Sequence, residues 1–432
     1  MTIAQRSGEP RRAALAFIFI TVMLDMLALG MIIPVLPRLV MDFVGGDTAS
    51  ASKIYGLFGT AWALMQFLFQ PLAGALSDRV GRRPVVLLSN LGLGLDYVLM
   101  ALAPNLIWLF IGRIISGITA ASFSTAGAYI ADVMPPEKRA GGFGMIGAAF
   151  GIGFVLGPAF GGLLGGMDPR LPFWVAAGFS LANLLYGYFI LPESLPRERR
   201  ASLTLGRANP LGSLKLLRRH RELLGLALVH FLYNLAHHSL PSVFVLYAFY
   251  RYGWDERIVG LTLAGVGVCA MVVQGGMIRP VVTWIGERWT LLFGLLFGAA
   301  GFAIYGLAES GLVFWIGVPV MSLWGLSSPA AQAIMTRRVQ PTEQGQLQGA
   351  LSSIMGITGL IGPGLFTFAF AQFIGPEADW HLPGAPFLLA AALLIAAVAF
   401  GWLASRPRPA DSRRNGRCAR LNVSGSSLTR PR

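Results

Sequence analysis

Charge is scarce in this chain. Only 12% of its 432 residues are Asp, Glu, Lys or Arg, against 55% hydrophobic ones. A soluble protein of this length hides its core behind a surface much richer in charge. That solution is excluded here, and lipid must be the solvent on most sides. Cysteine is almost absent: Cys269 lies in an apolar run and Cys418 near the C-terminus, which leaves no disulfide framework. Acidic residues number 20 against 34 basic ones. A phosphate-cradling G-x-x-x-x-G-K loop is missing, and Ser, His and Asp fall into no hydrolase order. The first absence excludes direct drive by ATP, so energy for any work must come from an ion gradient. The second argues against an enzyme. The short basic tail supplies no signalling domain, which argues against a sensor.

Long apolar runs are abundant. About 20 residues span the hydrocarbon core as a helix. Spanning helices are predicted at roughly 13–36, 53–76, 84–104, 107–131, 139–165, 171–191, 222–248, 258–282, 289–308, 311–335, 345–373 and 384–405. The first run is too long for a signal-peptide core and lacks a small-residue cleavage site, so it reads as a retained helix. The expected fold is an all-α polytopic membrane protein of about twelve helices in two pseudo-symmetric six-helix bundles. The expected domains are residues 1–191, a cytoplasmic loop 192–221, residues 222–405, and a basic, disordered tail 406–432. The net charge of +14 is not a nucleic-acid signature. The basic residues fall on one side if the helices alternate, and the opposite loops, near Asp42, Asp168, Asp255 and Glu377, are mixed or acidic. This is the positive-inside pattern, and it places both termini in the cytoplasm.

The halves repeat at an offset of 205 residues. It carries Gly157-Pro158 onto Gly362-Pro363, Ile111-Gly112 onto Ile316-Gly317, Gly144 onto Gly349, and Gly81 onto Gly286. A duplicated six-helix unit around a central cavity suits alternating access.

Four charges crowd into the turn Gly74-Ala75-Leu76-Ser77-Asp78-Arg79-Val80-Gly81-Arg82-Arg83. A positive-inside loop accounts for the arginines, but not for the order of glycines and Asp78. Asp132, Glu137 and Arg139, with Asp78, Arg82 and Arg83, form a candidate cytoplasmic gate. The string resembles the signature loop between helices 2 and 3 of the major facilitator superfamily. Gly153, Gly157, Pro158, Gly161 and Gly162 in helix 5 combine a helix-bending proline with a smooth packing face. That pattern resembles the helix-5 motif of drug–proton antiporters and disfavours a solute symporter.

Asp25 in helix 1 and Asp96 in helix 3 are carboxylates deep in apolar runs, with Arg113 in helix 4 as a candidate partner. Such groups titrate, or pair, or do both in turn. Gln66 and Gln332 hydrogen-bond a ligand or link helices. His230, Asn234 and either His237 or His238 share a face of helix 7. The histidines either couple to protons or pack. Without a nearby cysteine or carboxylate, no dedicated metal site is expected there.

From Asp25 to Pro363 the chain resembles the tetracycline–proton antiporters. The matching strings are Leu24-Asp25, Met31-Ile32-Ile33-Pro34-Val35-Leu36-Pro37, Ser77 to Val85, Leu95-Asp96-Tyr97, Ala128-Tyr129-Ile130-Ala131-Asp132 and Leu191-Pro192-Glu193-Ser194. The later half matches in Gly253-Trp254, Leu263-Ala264-Gly265, Gln348-Gly349 and Ile361-Gly362-Pro363. The resemblance implies export of tetracycline, as a divalent-metal chelate, in exchange for a proton across a bacterial inner membrane. No cofactor is implied, and a monomer is compatible with it. It marks Asp25, Gln66, Asp96, Arg113 and the Asp78–Arg83 turn as functional positions. The sequence departs from that family at Ala270, where a histidine is usual, and at Gly298, where an aspartate is usual. A related drug or metabolite is therefore the alternative substrate.

Overall fold

The computed structural model describes residues 9–120, 122–135, 138–200, 212–375, 378 and 380–406. Among them there is helix and no strand. The helices group into rods, numbered here in chain order. Rod α1 is Glu9–Ile32, continued by Leu36–Phe43; α2 is Thr48–Val80; α3 is Arg82–Leu102. Rod α4 joins Leu106–Thr119 to Ser122–Val133; α5 is Arg139–Gly165; α6 is Leu171–Ile190. Rod α7 joins Leu224–His237 to Ser239–Tyr252. Rod α8 starts as Glu256–Val272 and passes through a π turn, Val273–Met277, into the helix Ile278–Leu307. Gly286 breaks that helix (φ 78°, ψ 163°), and the part beyond it is α9. Rod α10 joins Gly311–Ser322 to Ser327–Thr336; α11 is Gln344–Ile374; α12 is Ala385–Ala404.

Eight of these stretches are long and apolar enough to cross a membrane, and one of them, Glu256–Leu307, holds both α8 and α9. The other three rods carry polar residues or are interrupted. The twelve-helix, two-bundle architecture is the expected one. The rods run further than hydropathy indicates. Rod α2 begins at Thr48 because Asp47 caps it, accepting from the amides of Ala49 and Ser50 at 3.1 Å each. It ends past Arg79, since backbone hydrogen bonding continues where side chains leave the hydrocarbon.

Solvation is inverted relative to a soluble protein. Large apolar side chains such as Leu88, Phe189 and Leu312 are exposed, while Asp25, Asp96, Arg113, Asn90 and Asn183 are buried. Backbone amides are satisfied within each rod, as lipid requires.

The first six rods pack mainly with one another, as do the last six. The halves meet along two seams, α2 with α11 and α5 with α8. The seams are related by the 205-residue offset. A Cβ on Gly260 of α8 would strike the Pro158 carbonyl and come within 3.0 Å of Gly162. A Cβ on Gly56 of α2 would lie 3.3 Å from the Pro363 carbonyl and strike the Thr367 hydroxyl. Pro158 and Gly162 map onto Pro363 and Thr367. The Ser52 hydroxyl adds a buried bond to the Thr367 carbonyl (3.0 Å). An ion pair, Arg38–Glu256 at 3.7 Å, also crosses between the halves.

All these contacts lie at one end of the bundle. At the other end, which carries the Gly81 and Gly286 turns, Gly74, Gly144, Gly275 and Gly345 on the four seam rods face open space among the described residues. The halves are closed at one end and parted at the basic end.

Candidate functional site

The first half builds a cavity of about 110 Å³ whose walls are mostly apolar and into which a few polar side chains are set. Asp25 of α1, Trp62, Gln66 and Gln70 of α2, Tyr97 of α3 and Ser116 of α4 line it, with Met26, Leu29, Leu93 and Ala120. Helical spacing explains the α2 wall, because Trp62, Gln66 and Gln70 recur every fourth residue on one face. Asp25 is 6% exposed, and its carboxylate accepts from Asn183 of α6 at 3.4 Å. The Asn183 amide oxygen in turn accepts from Thr21 at 3.0 Å, which fixes the amide's orientation.

Behind the cavity lie Asp96 and Arg113. Asp96 is fully buried; the Arg113 charge and the Ser116 hydroxyl are the polar groups that act on it. Gly112 makes room for Asp96, since a Cβ there would stand 2.8 Å from the carboxylate. The Arg113 guanidinium sits over the Trp62 ring, 5.0 Å from its centroid. Tyr97 lies within electrostatic range of Asp25, Asp96 and Arg113 together. The tertiary structure therefore brings Asp25, Gln66, Asp96 and Arg113 into one neighbourhood, joined by Trp62, Tyr97, Ser116 and Asn183. Those four were missed as site residues. The period of α2 and the polar Asn183 within the apolar α6 were signals that could have found them.

The helix-5 motif works on two sides. Gly153, Gly157 and Gly161 lie against the backbone of α1 between Met23 and Met31, and a Cβ on Gly157 would stand 2.7 Å from the Gly30 Cα. Pro158 and Gly162 meet α8. Rod α5 thus ties the Asp25 helix to the opposite half.

The histidines do not converge. His238 lies between the two segments of α7, its amide still bonded to the Asn234 carbonyl (3.3 Å) and its ring 6.4 Å from that of His237. His230 is buried, and its carbonyl accepts from Asn234 at 2.7 Å. The His237 ring lies 5.7 Å from Trp324, and His238 packs against Gly359 and Gly362 of α11. Gln332 lies half-buried in α10, away from the residues that line the cavity. Gly298 backs onto Trp324 and Leu394, so that a Cβ there would lie 2.7 and 2.8 Å from them. This is the physical content of the departure at that position: an indole fills the space a carboxylate would need.

At the basic end Arg82 joins Asp78 (2.6 Å) and Asp132 (3.0 Å), and Ser194 donates to the same Asp132 oxygen (3.1 Å). Gly81 takes φ 113°, which only glycine adopts freely. A Cβ there would also strike the Glu193 carboxylate. Glu193 caps α3, accepting from the amides of Arg82 (2.8 Å) and Arg83 (3.3 Å). That role was not read from the sequence. Arg139 donates to the carbonyls of Met134 and Ala131. Glu137 lies outside the described residues.

Two expectations for the gate need correction. Arg83 does not join the Asp78–Asp132 network. Its side chain donates to the Tyr188 carbonyl of α6 instead. The network also joins α2, α3 and α4 within one half and does not reach across to the other. The second half holds its mirror. Adding 205 carries Arg82 onto Glu287 and Asp132 onto Arg337, and Glu287 and Arg337 are ion-paired. Position for position, the signs are exchanged.

The Major Facilitator Superfamily model matches residues 18–327 and 280–430. The chain is 38% identical to the class C tetracycline resistance protein of Escherichia coli over 88% of this chain and 94% of that protein. It is 36% identical to the class E protein of Escherichia coli, over 82% and 86%. In three dimensions it superposes with a TM-score of 0.74 on a bacterial homolog of the human lysosomal transporter Spinster, inward-facing and occupied. That match covers 92% of this chain and 99% of the other at 17% identity, a likeness of fold. With its twelve rods, paired seams and charged helix 2–3 turn, this chain belongs to the Major Facilitator Superfamily of membrane transporters.

Proposed function

We propose that this protein is a proton-coupled exporter of a small amphipathic organic compound, with a tetracycline-like drug as the leading candidate, working by alternating access in a bacterial inner membrane. The observation that carries the reading is the cavity lining: rods α1 to α4 bring Asp25, Gln66, Gln70 and Ser116 together with the aromatic Trp62 and Tyr97 among aliphatic side chains. Such a mixture of a carboxylate, amides and rings suits a ligand that is partly apolar and partly polar. The resistance proteins named above favour tetracycline, carried as a divalent-metal chelate whose metal is cargo.

The positive-inside rule assigns the basic end to the cytoplasm, with both termini. The parted basic end then faces the cytoplasm, the side from which an exporter loads. Substrate bound against ionised Asp25 and a proton bound on it exclude one another. That competition makes the exchange obligatory. Arg113 acts electrostatically on Asp96, and a proton taken up by Asp96 removes that attraction. A buried charge left without its partner costs about 3–5 kcal/mol, enough to bias which end is open.

A second reading, export of a different drug or metabolite by the same cycle, is favoured by Gly298. The contact with Trp324 leaves the later half without the aspartate usual there.

The experiment uses proteoliposomes with an imposed pH gradient. The unmodified chain should move tetracycline against its gradient and the Asp25→Asn variant should not, although the variant folds. Undiminished transport by the variant would remove Asp25 from the mechanism. Transport of a panel compound but not of tetracycline would select the second reading.

A further inference from the structure

Arg83 and Arg288 stand 205 residues apart on the two equivalent turns, and neither enters the ion-pair networks beside it. Arg83 donates from Nη2 to the Tyr188 carbonyl at the end of α6 (2.5 Å) and stands 5.9 Å from the centroid of that ring. Arg288 donates from Nη2 to the Trp402 carbonyl at the end of α12 (3.4 Å) and stands 4.6 Å from its ring centroid, with Trp289 at 5.9 Å. The two arginines thus make the same contacts in the two halves, α3 to α6 and α9 to α12.

Neither guanidinium lies within 4.0 Å of a carboxylate among the described residues. The nearby carboxylates are engaged elsewhere: Glu193 with Arg200 and the α3 amides, Glu287 with Arg337. The Nε atoms of both arginines are buried and make no hydrogen bond. Beside Arg83 opens a groove of about 400 Å³, walled by Pro84, Leu87 and Tyr188. Exposed aromatic side chains flank both sites, Phe189 beside Tyr188 in one half (79% exposed) and Trp289 and Trp402 at Arg288 in the other.

We infer that Arg83 and Arg288 each hold the phosphate of an anionic phospholipid headgroup at the basic membrane face. With Nε buried and Nη2 on a carbonyl, Nη1 is the donor each guanidinium keeps for a phosphate oxygen, in a charge-assisted hydrogen bond. The aromatic ring beneath it keeps the arginine extended, and the exposed apolar side chains below receive the acyl chains. The exposed Arg79 and the other basic residues of this end repel a headgroup amine, so an anionic lipid is selected over a zwitterionic one. Both contacts of each arginine fall within one half. The lipid therefore rides with its half through any rocking motion. This inference is independent of the substrate and of proton coupling.

Native mass spectrometry of the purified full chain tests it, with phosphatidylglycerol, phosphatidylethanolamine and inorganic phosphate offered separately. Wild type should retain two phosphatidylglycerol molecules with about fivefold preference over phosphatidylethanolamine, as one basic residue at an anionic surface implies. Arg83→Gln and Arg288→Gln should each lose one, and the double variant both. If a glutamine variant fails to fold, Tyr188→Leu and Trp402→Leu take its place. These keep the charge but remove its platform, and reduced retention is expected of them. Undiminished retention by the double variant or by both leucine variants overturns the inference. So does equal retention of phosphatidylethanolamine. Competition by inorganic phosphate at equal concentration would show a free-anion site in place of a lipid site.

Discussion

At the residue scale, the buried polar side chains depend on one or two partners each. Asp96 is fully buried, and the Arg113 charge acts on it. Asp96→Asn should therefore stop exchange and lower stability by about 3 kcal/mol, because Arg113 stays charged in a buried site. Thermal unfolding in detergent alongside transport separates the two effects. Unchanged stability would mean that Arg113 is satisfied elsewhere. Gly298→Asp is the complementary case. It should not raise transport above that of the unmodified chain. It should destabilise by about 2–5 kcal/mol, since the carboxylate would be forced against Trp324 and Leu394. Gain of tetracycline transport by that variant would refute the packing account. Asp25 and Asp96 were legible in the sequence because a carboxylate inside an apolar run is conspicuous. Asn183 and Glu193 were not, because their roles rest on Asp25 and on the α3 amides, 158 and more than 100 residues away.

At the element scale, glycine decides which rods touch. Rod α5 meets α1 through Gly157 and α8 through Gly162. Gly260→Leu should push α8 off Pro158 and Gly162 at a cost of about 3 kcal/mol or more. Its counterpart Gly56→Leu should do the same at the α2–α11 seam. A melting temperature equal to wild type in either would show that the seam yields. Rod ends respond more mildly. Asp47→Ala should cost about 1 kcal/mol through loss of the α2 cap. Hydrogen bonding from Ser50 holds the Asp47 carboxyl below its ordinary range. A depressed pKa contributes stability above the unfolded value, near 3.8, and that stability is lost as pH falls through the folded value. The wild-type minus Asp47→Ala difference should thus shrink in acid and hold at neutral pH. The helix-5 motif was readable as a packing face, but its two partners were not, because a glycine face is equally smooth toward any neighbour. The helix-7 histidines were legible as a period along one rod, but the neighbours each ring meets were not. His237 meets Trp324 and His238 meets α11, contacts that depend on rods elsewhere in the chain.

At the scale of the whole molecule, the two halves carry the same brace with exchanged signs. Arg82 meets Asp132 in one, and Glu287 meets Arg337 in the other. Reversing both charges of the second pair, Glu287→Arg with Arg337→Glu, should recover the stability that each single reversal loses. The coupling should be at most about 1 kcal/mol, since Arg337 is largely exposed. The same cycle on Arg82 and Asp132 should show a larger coupling, about 3 kcal/mol, because Arg82 is buried. Equal couplings would contradict the difference in burial. Asp78→Asn should slow turnover more than it weakens substrate binding, because Asp78 lies at the basic end and lines no part of the cavity. Loss of affinity at normal turnover would place it in the binding site. Spin labels at Gly74 and Gly345, on α2 and α11, should draw together when the basic end closes. A distance that ignores both substrate and pH gradient would argue against rocking of the halves.

Composition and local period were enough to establish lipid as the solvent, twelve spans, the duplication at 205 residues and the charged turn. Each of these is written along the chain, because hydropathy and helical period concern neighbours in sequence. Packing in three dimensions was needed to send Arg83 from the gate to Tyr188 and to set Glu193 as the cap of α3. It also put Trp324 into the space at Gly298 and left the basic end open. These outcomes depend on which rod ends meet across the bundle. Charges of either sign serve equally well at a helix end until a partner from a distant rod selects between them, and only the fold supplies that partner.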